Sequence, residues 1–268
     1  RLGKPSPVEV YSGQREGQEV WILDNGRSRF VLAPSFGPAL IAWEQAGGAE
    51  NLVWSPFPQR GHLAWFYPWF GGISPRVLPA DSWCWEGFFY RESNSVEPLE
   101  EVDEYGLCWR GVCVGARPQK HELHDLAFEL KWLTVGHSNT LKVVYSVRNL
   151  RPTAQRVRLG GDFALGLGAD PAGLVLHGEE LRRRATPWAA WFFGHRWGAL
   201  SQPANGKAAL LISNRHNVIL FDAGQQGRML ASIDDLRLSG DERQELIYYV
   251  IVEDSLEKAL AYMPLKDL

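Results

Sequence analysis

The segment "TLKVVYSVRNLRPTAQRVRLGGDFALG", residues 140–166, contains two strand patterns separated by a proline-containing turn. In its first part, "LKVVYSV" alternates apolar and polar residues with the two-residue period of a β-strand that buries one face. Its second part, "QRVRLGGDFALG" (155–166), also predicts a strand, and it carries Asp162 directly after two glycines. Because glycines within a strand often mark a bulge or a bend, a structural role at a turn or a sheet edge is one interpretation of Asp162.

The rest of the chain repeats this pattern, and helical periodicity is nearly absent. Further strands are predicted at "RSRFVLAP" (27–34), "LAFELKWLTV" (126–135), "KAALLIS" (207–213), "NVILFDA" (217–223) and "ELIYYVIVE" (245–253). Turn signals lie at "DNG" (24–26), "GG" (47–48), "GHSN" (136–139) and "PANG" (203–206). One helix is predicted at "SLEKALAYM" (255–263), with Ser255 as its N-cap. So many strands require two packed sheets, and the length favours large twisted antiparallel sheets over an immunoglobulin-like sandwich.

Composition limits the classes of function. The chain has 268 residues, of which 45% are hydrophobic, with a net charge of −3 and 12 tryptophans. This acidic balance argues against a nucleic-acid partner, since a phosphate-binding surface normally carries a basic excess. No apolar run approaches the ~20 residues of a membrane span. The excess of tryptophan suggests an aromatic surface in contact with water, because a buried indole N–H needs a partner.

The domain organisation is inferred from the uniform composition along the chain. No repeat and no linker-like shift divides it, so we expect a single domain over residues 1–268. The sequence begins at Arg1 rather than Met, and we expect it to be a piece of a longer, multidomain protein. No cofactor is expected. The segment "KHELHD" (120–125) lacks the helical HExxH spacing, and in a strand its side chains point to opposite faces, so we predict no metal site.

The order of several motifs resembles that of the galactose mutarotase-like family. The resemblance covers roughly residues 20–260 and rests on "RSRFVLAPSFGPALIAWEQAGGAENLVWSP" (27–56), "YPWFGGISP" (67–75), "LKVVYSVRN" (141–149), "GGDFALGLG" (160–168) and "LRLSGDERQELIYYV" (236–250). It implies an all-β fold, the β-supersandwich of large antiparallel twisted sheets. It also implies a sugar site near the Gly-Gly turn at 71–72, with a sugar-binding arginine close to Arg76.

The same resemblance implies two catalytic residues, a glutamate that takes a proton from the C1 hydroxyl and a histidine that gives one to the ring oxygen. The segments expected to carry them hold Asp162 and Asp222 instead. The reference pKa of an aspartate carboxyl is about 4, against about 6.5 for imidazole, so an aspartate is a poor acid at neutral pH. The replacement therefore predicts loss of standard aldose 1-epimerase chemistry. Two carboxylates could instead serve a glycosidase, whose stereochemistry would depend on their separation.

Candidate sugar-binding residues concentrate in "HLAWFYPWFGGISPRV" (62–77) and "DSWCWEGFFYRE" (81–92). Sugar rings stack their C–H faces on aromatic side chains, and their hydroxyls need charged or amide partners. The residues that we expect to bind substrate are His62, Trp65, Trp69, Arg76, Trp83 and Glu86. The alternative for the rings is a place in the core, and the alternative for Arg76 is a structural ion pair.

A second aromatic cluster, "TPWAAWFFGHRWG" (186–198), forms either the far wall of the same groove or a loop packed onto the sheets. Three hypotheses on function remain open. The chain is a mutarotase-like domain that binds a mono- or oligosaccharide without standard epimerase activity, an epimerase or glycosidase that uses Asp162 and Asp222 in the same groove, or a structural domain that packs against other domains of a longer protein.

Overall fold

The computed structural model of the protein describes residues 8–48, 50–80, 89, 94–118, 123–179, 182–185 and 189–267. The strands are β1 (Glu9–Arg15), β2 (Gln18–Asp24), β3 (Ser28–Ala33), β4 (Ala39–Gln45), β5 (Gly61–Leu63), β6 (Phe66–Trp69), β7 (Ile73–Pro79), β8 (Asn94–Val102), β9 (Cys108–Ala116), β10 (Leu126–Thr134), β11 (Thr140–Asn149), β12 (Gln155–Phe163), β13 (Val175–Gly178), β14 (Arg182–Ala185), β15 (Ala190–His195), β16 (Trp197–Ser201), β17 (Ala208–Ser213), β18 (Val218–Asp222), β19 (Arg228–Leu238) and β20 (Arg243–Glu253). The helix α1 (Leu256–Leu260) begins after Ser255, whose hydroxyl caps it as predicted. No helix in these ranges has the length and hydropathy of a membrane span.

The strands form two large sheets and one hairpin. The ten-stranded sheet has the order β1-β2-β3-β4-β7-β12-β19-β18-β15-β14, and the eight-stranded sheet has the order β13-β16-β17-β20-β11-β10-β9-β8. Among the described strands, β5 and β6 pair only with each other. The pairings are antiparallel, as between β7 and β12 or between β10 and β11. The prediction of an all-β supersandwich of large antiparallel sheets is confirmed.

An apolar core lies between the two sheets. Val143 and Val147 point into it from β11, and Leu159 and Phe163 point into it from β12, each of them 0% exposed. Their spacing of four residues within each strand is a multiple of the two-residue strand period that the sequence shows at 140–166. Alternate side chains of β12 therefore point to the outer face of the ten-stranded sheet.

Asp162 is one of these outer residues, and it lies in the middle of the ten-stranded sheet with β7 on one side and β19 on the other. The two residues before it are glycines because close packing leaves no room for a side chain there. A Cβ at Gly160 would lie 2.1 Å from the carbonyl oxygen of Ser232, and one at Gly161 would lie 2.8 Å from the carbonyl oxygen of Ser74. The interpretation of Asp162 as a turn or edge residue is therefore wrong.

Loops and the β5–β6 hairpin cover the outer face and form a third layer. The hairpin cluster consists of Leu63, Phe66, Trp69, Ala164, Ala189, Trp191, Ile219, Phe221, Ala223, Met229 and Ala231. A second cluster, the Phe36 cluster, consists of Val20, Val31, Ala33, Phe36, Ala39, Ile41, Ala42 and Phe70. In the strand order, the outward side chains of β7 and β12 lie between these two apolar clusters.

Candidate functional site

An ion pair occupies the middle of the outer face. Arg76 Nε lies 3.1 Å from Asp162 Oδ2, and Arg76 Nη2 lies 2.5 Å from the same oxygen. Both side chains are 1% exposed. The register explains the contact, since Arg76 pairs with Gly160 and Ser74 pairs with Asp162, which places all these residues on one face. The two sequence candidates that the structure brings together are thus partners of each other.

Ser74 adds a third polar group that sequence reasoning missed. It lies directly across from Asp162, is 1% exposed, and its hydroxyl has no hydrogen-bond partner within the described ranges. A buried hydroxyl without a partner is uncommon, because its desolvation is not compensated. The signal was present in the sequence, because Ser74 and Arg76 are two residues apart in a strand and share a face.

The Gly-Gly turn before these residues approaches the protein's own backbone. Gly71 and Gly72 have φ angles of 63° and 61°, a conformation that favours glycine. A Cβ at Gly71 would lie 2.5 Å from the carbonyl oxygen of Trp54, and one at Gly72 would lie 2.0 Å from that of Leu40. The turn therefore sets the start of β7, and hence the position of Arg76, by packing against neighbouring segments.

The rings at 62–70 divide between core and surface. Phe66, Trp69 and Phe70 are buried, and Trp69 packs against Trp54 with ring centroids 4.6 Å apart. In the part of the chain that the structure describes, the Trp69 indole N–H has no hydrogen-bond partner. Trp69 belongs to the hairpin cluster, whose other members Ala164 and Ala231 are neighbours of Asp162 in the sheet.

Three other rings of the hairpin remain accessible. His62 and Tyr67 stack on each other, with centroids 4.3 Å apart and planes at 20°. Trp65 is 43% exposed and rests on Trp191 and Phe221, at centroid distances of 5.8 Å and 6.2 Å. These rings present flat apolar surface to solvent on a support of buried rings, which is the arrangement that a stacked sugar requires.

Asp222 lies on the opposite face of the ten-stranded sheet from Asp162. Asp162 and Ile219 both pair with Ala231 and so share the outer face, whereas Asp222, three residues along β18, points to the opposite face. There it forms an ion pair with Arg228, 3.3 Å from Nε to Oδ2, and accepts a hydrogen bond from the Gly224 amide. Two carboxylates on opposite faces of one sheet, two strands or ~10 Å apart in the lateral direction, cannot flank one sugar. The expected pairing of Asp162 with Asp222 is therefore corrected.

Trp83 and Glu86, the remaining sugar-binding candidates, lie outside the described residues. His121 and Glu122 of the "KHELHD" segment lie outside them as well. Among the residues that the structure describes, no group of three histidine, cysteine or acidic side chains could hold a metal ion.

The second aromatic cluster contributes to both faces of the ten-stranded sheet. Trp191 points outward into the hairpin cluster, where its ring lies 4.4 Å from that of Phe221. His195 pairs with the inward-facing Val218, so a bulge between Phe192 and His195 turns this end of the strand toward the other sheet. The structure therefore favours the interpretation of Trp191 as a residue packed onto the sheets, because its ring contacts the buried rings of the hairpin cluster.

Comparison with known structures identifies the fold. The chain is similar to a candidate aldose 1-epimerase from Klebsiella pneumoniae subsp. pneumoniae, with a TM-score of 0.69 and 12% identity over 97% of this chain and 86% of that one. It is also similar to a galactose mutarotase-like protein from Clostridium acetobutylicum, with a TM-score of 0.66 and 9% identity over 92% of this chain and 98% of that one. The chain has the galactose mutarotase-like fold.

The same fold occurs as part of larger proteins. A TPR-domain containing protein from Parabacteroides distasonis matches with a TM-score of 0.62 and 12% identity. The match covers 88% of this chain and 47% of that protein, so the chain spans about half of that protein's length. No protein-family model matches the sequence, and no curated protein matches it.

Proposed function

We propose that the chain is a carbohydrate-binding domain with the mutarotase-like fold, and that it does not perform standard aldose 1-epimerase chemistry. The observation that carries the proposal is the buried ion pair of Arg76 and Asp162 at the middle of the outer face. The sequence resemblance implies a catalytic histidine near position 162 and a sugar-binding arginine near position 76. In this chain both positions are engaged with each other.

The chemistry of the pair supports the loss of epimerase activity. A mutarotase must give a proton to the ring oxygen and take one from the C1 hydroxyl at neutral pH. Asp162 Oδ2 accepts two hydrogen bonds from the guanidinium of Arg76, so this oxygen is engaged by the protein's own side chain. Asp222, the second carboxylate, is on the other face of the sheet and cannot act on the same sugar.

Retained sugar binding is supported by the hairpin. Its exposed rings at His62, Trp65 and Tyr67 lie on a base of buried aromatic residues, so a ligand would not have to order them on binding. Preorganised aromatic surface binds with a small entropic penalty. We propose that one face of a mono- or oligosaccharide stacks on Trp65 and that neighbouring polar side chains select its hydroxyls.

Proton NMR of the protein with a panel of reducing sugars tests both parts of the proposal together. We expect saturation transfer to at least one sugar, with no acceleration of the exchange between its anomers. Accelerated exchange would mean that the chain is an epimerase and that groups other than the Asp162–Asp222 pair transfer the protons. No saturation transfer to any mono- or oligosaccharide of the panel would contradict the binding function and favour a structural role.

A further inference from the structure

A cavity lies on the inner side of the ten-stranded sheet, at the edge where β13 of the eight-stranded sheet faces β15 and β18. Its volume is about 380 Å³. The lining residues are Gly173, Leu174, Val175, Leu176, Gly178, Phe192, Leu220, Asp222 and Arg228. This volume falls in the range of small-molecule sites, ~300–1,000 Å³, and the lining is apolar apart from one ion pair.

The ion pair fixes a guanidinium at the cavity. Arg228 Nη1 donates hydrogen bonds to the carbonyl oxygens of Ala172 and Leu174, at 2.6 Å and 2.9 Å, and Nε lies 3.3 Å from Asp222 Oδ2. Within the described part of the chain, these contacts engage Nε and Nη1 and leave the two donors of Nη2 for another group. The Arg228 side chain is 27% exposed, so a ligand can reach it.

Next to the apolar lining lies a buried imidazole. His195 is 1% exposed, and neither ring nitrogen has a hydrogen-bond partner among the residues that the structure describes. Its Nδ1 lies 3.6 Å from the position that a Cβ at Gly178 would take, so the ring packs against a residue of the cavity lining. Burial lowers the pKa of His195, which keeps the ring neutral at pH 7 and gives it one donor and one acceptor, neither of them used by another described residue.

We propose that this cavity binds a small organic acid that has an apolar body and a hydroxyl group at its far end. The carboxylate of the ligand pairs with Nη2 of Arg228. A guanidinium held in place selects a carboxylate, because its donors point in fixed directions that match the carboxylate oxygens. The body packs against Leu174, Phe192 and Leu220, and the hydroxyl approaches the ring of His195 past Gly178. The site is independent of the sugar site, because the two lie on opposite faces of the ten-stranded sheet.

The lining favours an organic acid over a sugar. Arg228 can bind the carboxylate of the acid, and the apolar side chains can contact its hydrocarbon body. A sugar carries hydroxyls around its whole ring, and the five apolar side chains of the lining would leave them without partners, which is unfavourable. An aryl or alkyl chain between a carboxylate and one hydroxyl avoids that loss.

The test uses 3-(4-hydroxyphenyl)propionate as the probe and follows the methyl signals of Leu174 and Leu220 and the ring signals of His195 by ¹H–¹³C NMR of the whole chain. We expect saturable shifts of all three. Affinity should fall at least about tenfold when the probe lacks the carboxylate, as in 4-ethylphenol, because a charge-assisted contact is lost. 3-Phenylpropionate, which lacks the hydroxyl, should shift the leucine methyls and leave the His195 ring signals unchanged.

The variant Arg228→Gln should weaken the probe by a similar factor. Its matched control is Arg156→Gln, which removes an exposed arginine that pairs with Asp235 on the outer face. Equal weakening by both variants, no saturable shifts with the wild-type chain, or equal affinity for 4-ethylphenol and the carboxylate would each overturn the proposal. Should Arg228→Gln not fold, the comparison of the three probes on the wild-type chain decides the question.

Discussion

Arg76 reaches Asp162 diagonally across β7 and β12, over a separation of 86 residues in the sequence. The contact brings opposite charges together on a face that apolar clusters border on both sides. Its consequence is that neither residue can be changed alone without leaving a buried charge. The two residues are therefore coupled in the fold, and their contact also defines the candidate site.

Removing one member of this pair should be strongly destabilising. We expect Arg76→Met to lower the free energy of unfolding by about 3–5 kcal/mol, because the Asp162 carboxylate then stays buried without its guanidinium. Asp162→Leu should be destabilising as well, because it takes a carboxylate away from the buried Arg76 side chain. The double variant should lose less than the sum of the two. Urea denaturation of the four proteins gives the coupling energy, and the exposed pair Arg156–Asp235 provides a control with an expected coupling of about 0–1 kcal/mol. Additive losses at Arg76 and Asp162 would show that the pair does not act as a unit.

The two glycines before Asp162 should not tolerate a methyl group. Gly160→Ala and Gly161→Ala place a Cβ at 2.1 Å and 2.8 Å from backbone oxygens of neighbouring strands, so we expect losses of about 1–3 kcal/mol or more. Gly13→Ala in β1 is the matched control, since its nearest atom would be 3.6 Å away. Thermal unfolding of the three variants compares them, and an equal midpoint for Gly160→Ala and Gly13→Ala would contradict the close packing.

Trp65 should matter for sugar and little for stability. We expect Trp65→Ala to abolish saturation transfer from the protein to sugars while it changes the unfolding free energy by less than Trp69→Ala, because Trp65 is 43% exposed and Trp69 is buried. Tyr105→Ala is the control for loss of an exposed ring, since Tyr105 is 62% exposed on the β8–β9 hairpin. Unchanged sugar binding by Trp65→Ala would remove the hairpin from the proposed site.

The two described cysteines should differ in reactivity. Burial raises the pKa of Cys113 to about 11, and Glu129 adds to the effect. At about pH 8 only about one molecule in a thousand then carries the Cys113 thiolate, which is the reactive form. We expect iodoacetamide to modify the exposed Cys108 first and Cys113 only as the pH approaches 11, as followed by peptide mass spectrometry. Modification of Cys113 as fast as Cys108 at the lower pH would show that the eight-stranded sheet opens there.

His195 should make stability depend on pH in the acid range. Its pKa is lowered in the folded state by burial, against an opposing effect of Glu179, so the unfolded chain binds the proton more readily. Stability is then present above the unfolded value of about 6.5 and falls as the pH drops below it, by at most about 1.4 kcal/mol per pH unit. We expect His195→Leu to remove that part of the slope between pH 7 and pH 5. If the unfolding free energy depended on pH identically in both proteins, His195 would bind its proton as readily in the folded state as in the unfolded state.

The strands could be predicted from the sequence because each one depends on its own residues. β11 (Thr140–Asn149) contains the alternating segment "LKVVYSV" that predicts a strand, since alternation along a strand is a local property. The neighbours of a strand are not local. That β12 lies between β7 and β19 depends on pairings between distant segments, so neither the buried contact of Asp162 with Arg76 nor the role of Ser74 could be derived from spacing alone.

Asp222 illustrates the same limit. Its strand was correctly predicted, and alternation places it and Ile219 on opposite faces. The face that Asp162 shares depends on how β12 and β18 are aligned with β19. The residue pattern within one strand does not determine that alignment. The sequence therefore identified acidic residues at both segments but could not tell that the sheet itself separates them.

The β5–β6 hairpin combines two tasks in nine residues, 61–69. Its inward rings attach it to the sheet, whereas His62, Trp65 and Tyr67 face solvent and take no part in the inter-sheet core. These three positions can consequently be randomised in a library without disturbing the anchor or the strands beneath it. The scaffold offers protein engineers a short segment whose exposed positions can be varied separately from the residues of the core.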